Sequence, residues 1–269
     1  MKLRPFTILI IMIIITSCSP KNIPDPTATT DINALVGTMM SSTLTAIAPT
    51  PVIETETPIP EPTETLIPFG ILNEDFGERF IYPNSEIWSE PLDVARIQPP
   101  HIYEVISENG FLKYVFPNTE TYLYTFYQKE MPADVQIETS YLNVDTQSSE
   151  ASIACRVDPI NKDRWYDFRI VHFEKAAVIY YFEKKEVYGD QYTRLAYAKL
   201  PVELFRDKEN RLEARCQGDT LTLSLNGQQV ISIQDSRLSS DGLIGIGGMS
   251  HKRIPMSISF NYVKANPAE

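Results

Sequence analysis

Long helical patterns are missing from this chain of 269 residues. Past the first seventy, apolar and polar side chains alternate, and no run is long enough to span a membrane. That pattern excludes helical bundles and points to an all-β domain. Histidine is scarce: His101, His172 and His251 are scattered and have no Cys/His or His/Glu neighbours at ligand spacing, so zinc chemistry has no support. No Walker or dinucleotide glycine loop occurs. The glycine-rich stretch Gly245 to His251 contains Ser and His but lacks the Gly-x-Ser-x-Gly elbow and its strand-to-helix context. Positive charge is also short: 24 Lys and Arg stand against 35 Asp and Glu, a net charge of −11. The leader carries +2 and the stretch after it −5, so −8 falls on the rest. A domain of that sign repels phosphate backbones, which excludes nucleic acid as a partner.

The first apolar stretch is informative because it is short. Lys2 and Arg4 precede the run Phe6 to Ile15, the layout of a secretory signal peptide over 1–17. Ile15-Thr16-Ser17-Cys18 then resembles the bacterial lipobox, in which a cysteine sulfur takes diacylglyceride and becomes the mature N-terminus. Cys18 is the expected lipidation site, and the expected location is the outer side of the bacterial cell membrane or the cell surface. The membrane is then a partner through the lipid. Residues 18–69 form the expected tether, with nine prolines between Ser19 and Phe69 and no Tyr or Trp. Such a composition cannot bury enough apolar surface to offset its ordering entropy. Within it, Ile32, Leu35, Val36, Met39, Met40, Leu44 and Ile47 recur at helical spacing behind Asp31, which predicts a short amphipathic helix over 31–47. Frayed linker is the alternative, since an isolated helix of this length is marginal in water.

Residues 70–264 are long enough for one β-domain with a substantial core, followed by a tail at 265–269. A dozen short alternating segments separated by turn residues predict a sandwich. Asn226-Gly227, between two alternating runs, predicts a type I′ hairpin. Parity then places the two remaining cysteines. Leu212, Ala214 and Cys216 share one face of their strand, and Ile153, Cys155 and Val157 share one face of theirs. Two core-facing cysteines in an exported protein favour a Cys155 to Cys216 disulfide, with a pair of reduced core thiols as the alternative.

With these elements in place, the segments "DRWYDFRI", "NRLEARCQGDTLTLSLNGQQV" and "DGLIGIGG", closed by "ISFNYV", resemble the C-terminal part of concanavalin A-like lectin/glucanase domains, laminin G-like domains included. The resemblance implies a jelly-roll sandwich of two antiparallel sheets. It also implies two things to look for. Glycan-cleaving members of that superfamily carry Glu-x-Asp-x-Glu on one strand, and no such triplet is present here; an enzyme would need carboxylates from different strands. Members often hold a structural calcium between the first and last strands, for which Asp75 and Asn261 are the candidate ligands, and no other cofactor is called for. On the strand Arg164 to Val171, Trp165, Asp167 and Arg169 share a face, and Arg156 and Arg215 have outward parity on their own strands. An exposed indole that stacks on a sugar, with Asp and Arg binding hydroxyls, makes these five the glycan-binding candidates; ordinary cross-strand charge ladders are the alternative. The expected function is non-catalytic glycan binding at the cell surface. A module that binds a surface protein or builds envelope architecture is the first alternative, and a divergent glycoside hydrolase the second.

Overall fold

The computed structural model describes residues 70–77, 82–84, 86–94, 102–142, 149–185, 191–201, 203–205 and 208–269. The signal peptide, Cys18, the tether and the 31–47 helix lie outside the described residues.

The described residues form fifteen strands: β1 (Leu72–Glu74), β2 (Leu92–Asp93), β3 (Glu104–Glu108), β4 (Phe111–Phe116), β5 (Tyr122–Phe126), β6 (Val135–Leu142), β7 (Ser149–Val157), β8 (Arg164–Val171), β9 (Ala176–Glu183), β10 (Tyr192–Lys199), β11 (Asn210–Gln217), β12 (Thr220–Leu225), β13 (Gln228–Gln234), β14 (Leu243–Ser250) and β15 (Met256–Pro267). They make two antiparallel sheets. One has eight strands in the order β13-β12-β11-β6-β15-β4-β3, with β1 also on β15. The other has seven, in the order β10-β9-β8-β7-β14-β5-β2. The hairpin between β12 and β13 turns at Asn226 and Gly227, both at positive φ (51° and 82°), as a type I′ turn demands. Strand β15 continues to Pro267, past the predicted start of the tail, because Ala265 is buried and pairs with Leu72.

The two sheets differ in how many faces they bury. In the eight-stranded sheet, β4 and β12 alternate buried and half-buried residues, the signature of one face on the core and one near water. Leu112, Ile137, Leu212, Leu223, Ile258 and Phe260 supply that core from one side; Ile153, Tyr166, Phe168 and Ile179 supply it from the other. In the seven-stranded sheet, β5, β7 and β14 are buried at every position. Its outer face carries a second apolar cluster, including Tyr122, Tyr124, Phe126, Trp165, Phe182 and Met249.

Cys155 of β7 and Cys216 of β11 form the expected disulfide, which ties one sheet to the other across the core. One parity call at this point fails. Val157 lies in the outer cluster with Ala154, not on the core face with Ile153 and Cys155. The register against β14 slips between Leu243 and Gly245, so Cys155 and Arg156 together oppose Ile244. This bulge inverts the alternation beyond it.

The bridge closes a loop with a sequence separation of 61 residues. Chain entropy then makes it worth about 4 kcal/mol. The Cys155→Ala/Cys216→Ala double variant is expected to lose stability of that order in urea unfolding while its far-ultraviolet dichroism stays β-type. An unfolding free energy equal to wild type would show that the bridge constrains nothing.

Candidate functional site

The outer face of the seven-stranded sheet is a grid set by register. Across one row stand Tyr124, Gly247, Ser152, Arg169 and Val178; across the next, Phe126, Gly245, Ala154, Asp167 and Tyr180. The two glycines are needed for close approach. A Cβ on Gly247 would lie 2.6 Å from the Tyr124 ring, and one on Gly245 2.6 Å from the Phe126 ring. Both rings therefore lie flat over β14, stacked 2° from parallel.

Arg169 is the hub of this face. Its Nε donates to Asp167 Oδ2 at 2.5 Å, Nη1 to Glu150 Oε2 at 3.0 Å and Nη2 to the Tyr124 hydroxyl at 3.0 Å. The guanidinium also sits 4.2 Å from the Tyr192 ring centre and 4.8 Å from that of Tyr180. Asp167 Oδ2 accepts the Tyr124 hydroxyl at 2.8 Å, and Oδ1 accepts the Ser152 hydroxyl. Burial pushes the Asp167 carboxyl up against the pull of Arg169. Burial acts on Glu150 in the same sense, but its hydrogen bond with His251 and the charge of Arg169 hold that carboxyl below the usual range. His251 Nε2 lies 2.5 Å from Glu150 Oε1 and Nδ1 3.5 Å from Glu120 Oε1. Burial opposes the imidazolium, yet these carboxylates raise its pKa above the ordinary 6.5.

The five glycan-binding candidates do not form one site. Trp165, Asp167 and Arg169 do share this face, but none is exposed: their accessibilities are 0%, 0% and 2%. The Trp165 indole stacks on Phe182 with centroids 3.7 Å apart, so its face is already covered. The expected exposed indole is thus corrected to a packing residue, because β7 and β8 are buried on both faces. Arg215 stands on β11, in the opposite sheet, and bonds the carbonyl of Glu269. Arg156 has φ of 52° at the bulge and is turned away from the grid. Its guanidinium bonds the carbonyls of Ala133, Leu238 and Gly218 and lies 3.3 Å from Asp134, clamping loops at one end of the sandwich.

That end holds a cavity of about 200 Å³. The loop after β7 supplies Asp158 and Pro159, the start of β8 supplies Arg164, and the loop after β13 supplies Arg237, Leu238, Ser239, Ser240 and Asp241, with Arg156 of β7 completing the lining. Both loops are pinned. Asp158 Oδ1 accepts the amides of Asn161 (2.7 Å) and Ile160 (3.0 Å), which together with Arg164 hold its carboxyl below the usual range. The Tyr166 hydroxyl donates to Asp235 Oδ1 at 2.7 Å and accepts from the Leu238 amide at 2.9 Å. Arg164 reaches Asp158 at 3.4 Å and Arg237 reaches Asp235 at 3.1 Å, so charge within the cavity is nearly balanced. Of its lining only Arg156 was singled out from sequence. The available signal was two polar, turn-rich loops, "DPINKDR" and "DSRLSSDG", whose meeting alternation cannot reveal.

Asp75 Oδ1 accepts the Gly77 amide at 3.1 Å, and the Asn261 amide nitrogen donates to both carboxylate oxygens of Glu209 at 3.1 Å. Among the described residues no group of three or more His, Cys, Asp or Glu is arranged to hold a metal ion.

Trp165→Ala is expected to cost about 3–5 kcal/mol of stability, as emptying a fully packed aromatic site does, and urea unfolding measures it. His251 is expected to titrate above 6.5 by imidazole NMR, and to fall back towards 6.5 in Glu150→Gln. The sign follows from linkage. The raised His251 pKa stabilises the fold fully below 6.5, and this contribution fades as pH rises through the folded value. The lowered Glu150 pKa contributes fully above 4.5 and is lost as pH falls through its folded value. The stability difference between wild type and His251→Gln should therefore be largest between pH 4.5 and 6.5; a difference that grows above that window would contradict the pairing.

No protein family and no curated protein matches this sequence. Solved structures do match in shape. One belongs to the endo-acting O-glycanases that prominent human gut bacteria express to initiate mucin breakdown; it has a TM-score of 0.54 at 13% identity, covering 74% of this chain and 100% of its own. Another is a glycoside hydrolase family 16 endo-glucanase from Bacteroides ovatus, with a TM-score of 0.52 at 10% identity, covering 72% and 99%. A third is the exoplasmic/lumenal domain of VIP36, solved with Ca²⁺ and Man3GlcNAc, with a TM-score of 0.50 at 11% identity, covering 70% and 86%. At these identities the likeness carries the fold and no more. The sandwich of this chain is a concanavalin A-like jelly roll.

Proposed function

We propose that this chain is a lipid-anchored bacterial surface protein whose jelly roll binds an extracellular or cell-wall glycan without cleaving it. The anchor is read from Cys18 and the segment before it. The observation that carries the binding is the end cavity. Three arginines, two aspartates and the two serines Ser239 and Ser240 line it, with Pro159 and Leu238 as the apolar residues. Sugar hydroxyls both donate and accept, so they suit a lining that mixes both roles at balanced charge, while C–H faces suit the apolar pair. At about 200 Å³ the cavity is smaller than the roughly 300–1,000 Å³ of drug-sized ligand sites. It suits a short saccharide segment.

Absence of cleavage is supported at the cavity, where Asp158 Oδ1 accepts two amides and its other oxygen faces Arg164 while Asp241 Oδ1 accepts the Ala133 amide, and at the Arg169 hub. A glycosidase needs one carboxylic acid in contact with the leaving oxygen and a second carboxylate free to attack or to activate water. Glu150 and Asp167 are instead buried and bound to one guanidinium, and both Asp167 oxygens already accept hydroxyl or guanidinium donors. Fold neighbours named as glycanases and the mannoside-bound VIP36 domain are consistent with a glycan ligand.

The test is a glycan array probed with the full chain in detergent, beside Arg164→Ala/Arg237→Ala. Both side chains are about half exposed, so the fold should survive their loss. Selective binding weakened about tenfold or more in the variant, roughly 1.4 kcal/mol, is the expected result. Silence across the array, or equal binding by the variant, would move the function to a protein partner.

A further inference from the structure

Strand β10 ends the seven-stranded sheet and β13 ends the other, and the two edges lie side by side. Neither carries a carboxylate: β10 reads YTRLAYAK and β13 reads QQVISIQ. In a chain of net charge −11 this is an unusual strip. Among the described residues the acidic neighbours of the two strands include Glu174, whose backbone carbonyl accepts Lys199 Nζ at 2.8 Å, Glu183 at the end of β9, and Asp235, directly after β13, whose amide donates to the carbonyl of Asp219.

Plain alternation would put Arg194 and Tyr197 on opposite faces of β10. The register slips between them. Arg194 pairs with Tyr180, Ala196 with Ile179 and Tyr197 with Val178, which leaves Leu195 as the extra residue. The bulge turns Arg194 and Tyr197 to the same side, with Tyr192 two residues before and Lys199 two after. Tyr197 is 40% exposed. The Arg194 guanidinium lies 5.7 Å from its ring centre and Lys199 Nζ 5.6 Å. Tyr192 is half-buried, its ring held from the sheet side by Arg169. The result is a row of Tyr, Arg, Tyr and Lys about 20 Å long at 3.3 Å per residue. Cations on an edge strand also discourage edge-to-edge pairing. Any placement of the charges would serve that purpose, whereas the bulge adds Arg194 to the side on which Lys199 already meets the Tyr197 ring.

We infer that this row is a second binding surface, for an acidic polysaccharide whose sugar rings lie against Tyr197 and whose carboxylate or sulfate groups pair with Arg194 and Lys199. Its length suits a polymer, and it shares no residue with the end cavity. Exposed aromatic rings present flat faces to sugars, and the paired cations select for negative charge.

The experiment is calorimetric titration of the full chain in detergent with polygalacturonate. Neutral dextran and a soluble short-chain phosphatidylglycerol serve as the other arms. Polygalacturonate should bind at low salt and weaken as salt rises. Binding should fall on the order of tenfold in Arg194→Gln/Lys199→Gln and in Tyr197→Ser, with both variants as resistant to urea as wild type. Arg164→Ala/Arg237→Ala should bind polygalacturonate unchanged, which separates this surface from the end cavity: neutral-glycan binding lost only in the cavity variant leaves the row standing or falling on its own. The inference is overturned if wild type does not bind polygalacturonate, if the β10 variants bind it equally well, or if only the phosphatidylglycerol binding responds to them.

Discussion

The charge of Arg169 is the constraint on which the seven-stranded sheet depends. An antiparallel sheet with one face on the core can leave the other to water. Here the other face is also buried around the grid, so the charged groups on it must be paired, although the Trp165 indole nitrogen is left without a hydrogen-bond partner. Glu150 and Asp167 project from adjacent strands onto that face, and two unpaired buried carboxylates there would be untenable. One guanidinium answers both and takes a tyrosine hydroxyl besides. Such buried networks add little net stability over an apolar replacement. What this one supplies is a single arrangement: Tyr124 is fixed by Arg169 and Asp167, Gly247 lets its ring lie flat, and Trp165 packs edge-on to Tyr124 and face-on to Phe182.

A face committed in this way has little left for a ligand. In a jelly roll with an open sheet face, aromatic and charged side chains at these positions would invite a saccharide, and the same residue types here are spent on each other. The two proposed binding surfaces accordingly lie at the margins of the sandwich. At one end two loops bring balanced charge around a small cavity, and along one edge exposed cations flank an exposed tyrosine. Both margins rest on the rigid sheet that the Arg169 network fixes, since Tyr166 pins the loop after β13 and Tyr192 is held by Arg169 itself.

What could be read in the sequence divides along the same line. Period-two alternation located β4, β12 and their partners, and it put Cys155 and Cys216 on facing core positions. It grouped Trp165, Asp167 and Arg169 correctly on one face. Exposure of that face could not be read, because parity says which side a residue points to and nothing about what lies over that side. Hydrophobic content was the neglected clue: Tyr122, Tyr124, Phe126, Phe182 and Met249 all have outward parity, and a solvated face would rarely carry so many. Alternation does not reveal strand β10, since its bulge breaks the period in the middle of eight residues.

Three of the four register slips among the described residues are thus where simple parity fails and also where distinctive chemistry sits; the fourth, on β13, sets out only the apolar Val230. On β7 the slip turns Arg156 out of the grid and into a clamp that lines the end cavity. On β10 it brings Arg194 onto the side of Tyr197. On β15 the slip between Phe260 and Tyr262 isolates Asn261, whose amide then holds Glu209. In each case a strand gives up one regular pairing and gains a polar side chain aimed along a direction that alternation does not offer. A sheet closed by packing on both sides over β5, β7 and β14 has few other ways to present charge. Its bulged edges and loop ends are therefore the places where differences in ligand choice between such folds can arise without disturbing the core.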